Sequence, residues 1–139
     1  MKHISIKISG IPYGKDKTRG DIEAPKRWTQ TVIEQTALRP KIKEACIAKI
    51  TFCLPKDKFP TDFPYGPDLD NLLKRFLDAL NETIFSEAKG KDSCIISMDV
   101  SKAKVENIDD AGVYLEIIPV IVWVRYVNKK INAYWRVGW

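Results

Sequence analysis

The chain has 139 residues, 45% of them apolar and 10% aromatic, and its 23 basic side chains against 18 acidic ones give a formal charge of +5. That length argues for one domain able to bury a sizeable core without staples. Seven Gly and eight Pro exclude collagenous, low-complexity and wholly disordered classes. No run approaches the ~20 continuous apolar residues that a membrane-spanning helix needs. The opening MKHISIKISG alternates where a secretory leader carries an apolar block. The expectation is a cytoplasmic protein. Cys46, Cys53 and Cys94 lack C-x-x-C spacing and read as reduced, mostly buried thiols. A single histidine, His3, leaves no material for a His-rich zinc centre.

In chain order, residues 3–8 set Ile4, Ile6 and Ile8 on one face, a strand. A loop with three glycines and the bases Lys15, Lys17 and Arg19 follows. Pro25 in a first turn, with Trp28, Val32 and Thr36 at steps of four, predicts a helix closed by Pro40. Ile50, Phe52 and Leu54 alternate in a second strand that Pro55 ends. Residues 56–67 form a proline-punctuated loop carrying Phe59, Phe63 and Tyr65, and 68–81 predict a second helix. Strands at 94–104 and 113–118, joined by a turn at 107–112, and one more at 120–127 complete the order β-α-β-α-β-β-β. The fold class is α/β (mixed α+β), a single domain with a mixed sheet and two main helices. Residues 120–139, a strand and an aromatic tail, belong to the same domain as 1–119.

Charge is unevenly spread: residues 1–60 carry net +7, 61–110 net −5 and 111–139 net +3. A basic body suits a polyanion, because Lys and Arg displace counterions condensed on phosphates. The positions of the acids in the middle then decide whether they are solvated loops or a site.

Most of the information lies in 66–81. At 100° per residue, Leu69, Leu72, Leu73, Phe76, Leu77 and Leu80 form one apolar stripe, with Asp70 and Lys74 opposite it and one turn apart. Two readings of these residues stand side by side. In the first, Asp68 caps the helix, and Asp70 with Lys74 forms an i, i+4 pair worth only ~0.3–0.5 kcal/mol. In the second, two carboxylates at a loop–helix junction converge on one hard cation. Mg²⁺ takes one or two carboxylates and completes its shell with water and phosphate oxygens. An ammonium one turn further on stabilises charge at phosphorus. D-x-D alone is a weak signal; D-x-D-N-x-x-K at a helix start in a basic chain is stronger.

The run Asp68-Leu-Asp-Asn-Leu-Leu-Lys74, continued by Phe76-Leu-Asp-Ala-Leu80 and Ile84-Phe85, resembles the signature of RusA-type Holliday junction resolvases, Mg²⁺-dependent endodeoxyribonucleases. The resemblance is densest over 66–104 and extends over 1–118. It implies metal ligands at Asp68 and Asp70, a lysine required for cleavage at Lys74, and a third aspartate that opens a strand. Asp92, before Ser93-Cys94-Ile95-Ile96, is the best match for that third ligand, with Asp99 as the alternative. The family's paired aspartates read Lys91-Asp92 here, and 86–90 lengthen the connection. Asp92 is preferred because a loop-to-strand corner can approach the helix start, whereas Asp99 falls mid-strand. The resemblance further implies a catalytic set of Asp68, Asp70, Lys74 and Asp92, and Mg²⁺ with Mn²⁺ as a substitute. It implies as well a homodimer that resolves four-way DNA junctions by paired symmetric nicks.

Lys15, Lys17, Arg19, Lys26, Arg27, Lys102 and Lys104 are candidate DNA contacts, each with an ordinary solvated surface as its alternative. Phe63 joins them as a residue that either stacks on unpaired bases or packs its own loop, as do Phe59 and Tyr65. Trp123, Trp135 and Trp139 read as core or subunit-interface anchors. Two other functions stay open: a non-catalytic basic DNA-binding module, and a structure-specific nuclease acting on flaps or structured RNA.

Overall fold

The computed structural model describes residues 3–59, 61–127 and 130–137, with 122–135 described by backbone alone. Seven elements follow one another: β1 (Ile4–Ser9), α1 (Ala24–Thr36), β2 (Cys46–Pro55), α2 (Leu69–Leu80), β3 (Ile95–Val105), β4 (Gly112–Val127) and β5 (Lys130–Val137). Short 3₁₀ turns at Lys56–Lys58, Lys91–Cys94 and Ile108–Asp110 fill the connections. The strands form one five-stranded mixed sheet in the order β1-β4-β2-β3, with β5 on the distal half of β4. β2 and β3 are parallel, whereas β4 runs antiparallel to β1, β2 and β5.

Alternation in the strands decides which face is covered. Ile4, Ile6 and Ile8 pair with Ile117, Leu115 and Val113. Ala48, Ile50, Phe52 and Leu54 continue that apolar face across β2. Trp28 and Val32 of α1, and Leu72, Phe76, Leu77 and Leu80 of α2, close over it as a single core. Phe76 meets Phe52 edge to face, ring centroids 5.7 Å apart. Each such side chain contributes roughly 1.5–3 kcal/mol when fully buried. Both helices therefore sit on one face. The other face presents Ser5, Lys7, Lys49, Thr51, Tyr114 and Glu116 to solvent, as a largely antiparallel sheet permits.

The connection β2–α2–β3 is a parallel crossover, so the chain climbs β2, descends α2 and climbs β3. The start of α2 thus lies near the end of β3, and the end of α2 near the start of β3.

One element boundary differs from expectation. The strands predicted at 113–118 and 120–127 are a single strand, β4, which passes through Pro119. Proline has no amide hydrogen to give, but Pro119 sits at the last rung against β2, opposite Cys46, after pairing with β1 has ended at Ile117. The next amide, Val120, donates to the Ala45 carbonyl at 3.0 Å, and β4 goes on to pair with β5 from Val120 opposite Val137. β5 falls where the pattern predicts only an aromatic tail. The side chains of Trp123, Trp135 and Trp139 lie outside the described residues. Among the described residues, no helix is long and apolar enough to cross a membrane.

Candidate active site at the start of the second helix

The apolar stripe of α2 is rooted in the core through Leu72, Phe76, Leu77 and Leu80, which turns Asp70 and Lys74 outward. Asp68 is the N-cap, in extended conformation, but its side chain makes no capping bond; only its carbonyl accepts, from the Leu72 amide at 3.1 Å. The Asp68 carboxylate instead accepts a long bond from the Asn71 side-chain amide, 3.4 Å. Among the described residues no ion pair joins Asp70 to Lys74. Neither bland role is taken up. Asp68, Asp70 and Lys74 remain exposed on the first two turns of the helix.

Two loops press against this corner. A Cβ at Gly14 would meet the Asn71 Cβ at 2.9 Å and the Leu72 amide nitrogen at 3.0 Å, so the loop after β1 can lie on α2 only as glycine. A Cβ at Gly66 would meet the Lys58 carbonyl oxygen at 2.8 Å, which brings the loop before α2 just as close. Arg75 clamps the first loop: its Nε donates to the Gly14 carbonyl at 3.0 Å, one Nη to Thr29 Oγ1 at 3.2 Å, and the other pairs with Asp16. Lys102 fastens the second, its Nζ donating to the Pro67 carbonyl at 2.9 Å. Arg75, Gly14 and Gly66 carry no motif signal that sequence reading could use, because their partners lie in other segments or are backbone.

The third carboxylate is where the structure departs most from expectation. Asp92 lies in the turn before β3, held to the C-cap of α2: its amide donates to Asn81 Oδ1 at 3.0 Å, and the Asn81 side chain donates to Asp92 Oδ2 at 3.3 Å. From Asp70 to Asn81 the helix rises about 16 Å at ~1.5 Å per residue. The expected approach of the loop-to-strand corner to the helix start therefore does not occur within one chain. The cause is the parallel crossover, which begins β3 at the far end of α2. Asp99 is no closer in role: it pairs in register with Lys49 on the solvent face of the sheet, opposite the helices.

The other candidates divide. Lys15 and Lys17 line a cleft that also holds Asp68. Lys26 pairs with Glu23 at 3.8 Å, and Arg27 with Asp21, whose carboxyl the guanidinium holds below its usual range. Arg19 is exposed in the same loop. Lys104 pairs with Glu106 at 3.8 Å. Phe63, 44% exposed, packs edge-on against Phe59 with centroids 5.4 Å apart in the loop leading to Asp68. Burial pushes all three thiols up; Cys46 reaches about 12, with Cys94 beside it.

A two-layer α/β domain with paired carboxylates and a lysine exposed on one helix start, under a rim of lysines, is a scaffold for chemistry on phosphodiesters. Comparison with known families gives the same answer: the model of the endodeoxyribonuclease RusA family matches residues 16–118, about three quarters of the chain. The protein belongs to that family of nucleases. No curated protein matches the chain directly.

Proposed function

We propose that the protein is a divalent-metal-dependent endodeoxyribonuclease that resolves four-way DNA junctions by paired symmetric nicks, acting as a homodimer with Mg²⁺, or Mn²⁺ in its place. The observation that carries this reading is the exposed trio Asp68, Asp70 and Lys74, left without capping or ion-pair duties on the first turns of α2. The donor set fits a hard cation: two carboxylates, with no thiolate or imidazole at the helix start. Among the described residues no three acidic, His or Cys side chains form a ready cage. Mg²⁺ is commonly held in that way, by one or two carboxylates, the rest of its shell being water and phosphate oxygen.

When bound, the metal supplies Lewis-acid polarisation of the phosphate and lowers the pKa of an attacking water. Asp68 and Asp70 hold it. Lys74 offsets the negative charge that builds on the phosphoryl oxygens as the bond breaks. Lys15, Lys17 and Arg19 meet the backbone of the bound strand, with Lys26, Arg27, Lys102 and Lys104 as weaker contacts because each already has a partner. Phe63, exposed in the loop that leads to Asp68, stacks on an unpaired base at the branch.

Asp92 takes part from a second protomer. Among the described residues β3 pairs only with β2, leaving an 11-residue edge with Ile96 and Met98 exposed. Antiparallel pairing of two such edges about a two-fold axis normal to the sheet keeps both α2 helices on one side. It runs the partner's Asp92 toward the Lys102 end of β3, beside Pro67 and Asp68. A two-fold protein then offers two equivalent sites to the symmetric strands of a junction.

Incubating the protein with labelled four-way junctions, flaps, duplexes and structured RNA, with Mg²⁺, Mn²⁺ or EDTA, tests the reading. Symmetric nicks in the junction, dependent on metal, are expected. Tight binding without cleavage in any metal would make it a non-catalytic module, and faster cutting of flaps or RNA would reassign the substrate.

A further inference from the structure

A cleft of about 490 Å³ opens beside Asp68, between the loop that follows β1 and the loop that precedes α2. Its size falls within the range of sites that enclose a small ligand. Tyr13 and Pro67 give it apolar walls, and Lys15, Lys17 and Lys58 give it charge. Two of those cations share one aromatic ring. Lys58 Nζ stands 3.7 Å from the centroid of the Tyr13 ring, and Lys17 Nζ stands 5.8 Å from the same centroid. An aromatic face positions an ammonium without neutralising it. Among the described residues, no carboxylate pairs with Lys15, Lys17 or Lys58. Asp16, which also lines the cleft, is drawn off by Arg75. The loops that make the cleft are fixed by glycine contacts too tight for any side chain, at Gly14 and Gly66.

The geometry points to a substrate-positioning subsite: the cleft takes one nucleotide of the DNA strand next to the bond cleaved at Asp68, with its phosphate on Lys58 and Lys17 and its sugar and base against Tyr13 and Pro67. This rests on the nuclease reading above and adds to it a contact that sets where along the strand the cut falls. Tyr13 both meets the nucleotide and holds Lys58 over its ring, while Arg75 is a positioning residue that acts through the loop.

Binding measured without cleavage separates this subsite from the catalytic reading. Fluorescent four-way junction is titrated with wild type, Lys58→Ala, Tyr13→Leu and, as a control on the opposite sheet face, Lys49→Ala, in EDTA over a range of salt. Lys58→Ala should weaken binding several-fold and lower the log–log salt slope by about one, as loss of one phosphate contact does. Tyr13→Leu should produce a smaller loss of the same kind, and Lys49→Ala none. In Mg²⁺, nicks made by Lys58→Ala should spread to neighbouring positions. Unchanged slope and affinity in Lys58→Ala, or an equal loss in Lys49→Ala, overturns the subsite and leaves the nuclease reading standing. A wild type that binds DNA with the expected slope differences yet never cuts overturns the nuclease reading instead, and one that binds no nucleic acid overturns both.

Discussion

Exchanging one carboxylate oxygen of Asp70 for an amide removes a proposed metal ligand and a charge that repels phosphate. Asp70→Asn should therefore abolish junction cleavage while leaving the melting temperature unchanged and junction affinity equal or tighter. Cleavage at the wild-type rate would sink the metal assignment. Lys74→Ala should lower the single-turnover rate by ~10²-fold or more, the scale of one lost transition-state charge contact, with no change in stability, since no ion pair to Asp70 is there to lose. Cys46 offers a test of burial. Its thiol is raised from 9.0 to about 12 by desolvation, so the unfolded chain releases this proton at lower pH than the folded one. The corresponding stability is whole below about pH 9 and drains away as pH climbs toward 12, by about 1.4 kcal/mol per unit. Denaturant melts of wild type and Cys46→Ala across that window should converge as pH rises; parallel curves would refute the assignment. At this scale the sequence was legible where partners are neighbours, as in D-x-D-N-x-x-K. Tyr13 with Lys58, or Arg75 with Gly14 and Thr29, meet only once the fold has brought them together.

Periodic elements could be read because burial imposes the period: Trp28, Val32 and Thr36 at steps of four are all buried in α1. Pro119 misled for a definite reason. A proline forbids a ladder donor, and the sequence does not reveal that β4 changes partners at that residue, where no donor is needed. The loop of residues 10–20 is the element most open to experiment. Gly14→Ala places a methyl against the backbone of α2, which cannot yield. The loop must lift, breaking its bond from Arg75, at a cost of about 1–3 kcal/mol for an overpacked contact. Calorimetry should record the lowered melting temperature, and junction titration should show weakened binding because Tyr13, Lys15 and Lys17 leave their places beside Asp68. A variant with wild-type stability and affinity would mean the loop is not fixed to α2 in solution.

Seen whole, the molecule keeps its three candidate ligands, Asp68, Asp70 and Asp92, at two ends of one helix. Two inactive variants can test the proposed sharing of sites between protomers. Asp70→Asn and Asp92→Asn, each inactive alone, are unfolded, mixed and refolded together. If Asp70 and Asp92 of one site come from different protomers, each mixed dimer contains one intact site, and single-strand nicking should return to up to about a quarter of the wild-type rate. If both come from the same protomer, every site is damaged and no mixing ratio restores cutting. Asp99→Asn, altered on the solvent face, should cleave normally. The resemblance in sequence singles out Asp92 as a candidate but cannot give its position, because the path of a crossover lies in the topology of the sheet and not in any local spacing.

The placement of β4 also governs how the molecule comes into being. Ile8 finds its rung at Val113, more than a hundred residues later in the chain. Pairings this remote delay folding, since the long closure must precede its reward. On the ribosome, α2 with its aspartates is complete in sequence long before β4 emerges to join β1 to β2. Until then Ile4, Ile8, Ile50 and Phe52 lack the strand that zips them together, and the nascent chain exposes apolar surface of the kind on which chaperones and proteases act. A message truncated before codon 112 would encode every residue of the exposed trio and still yield no enzyme.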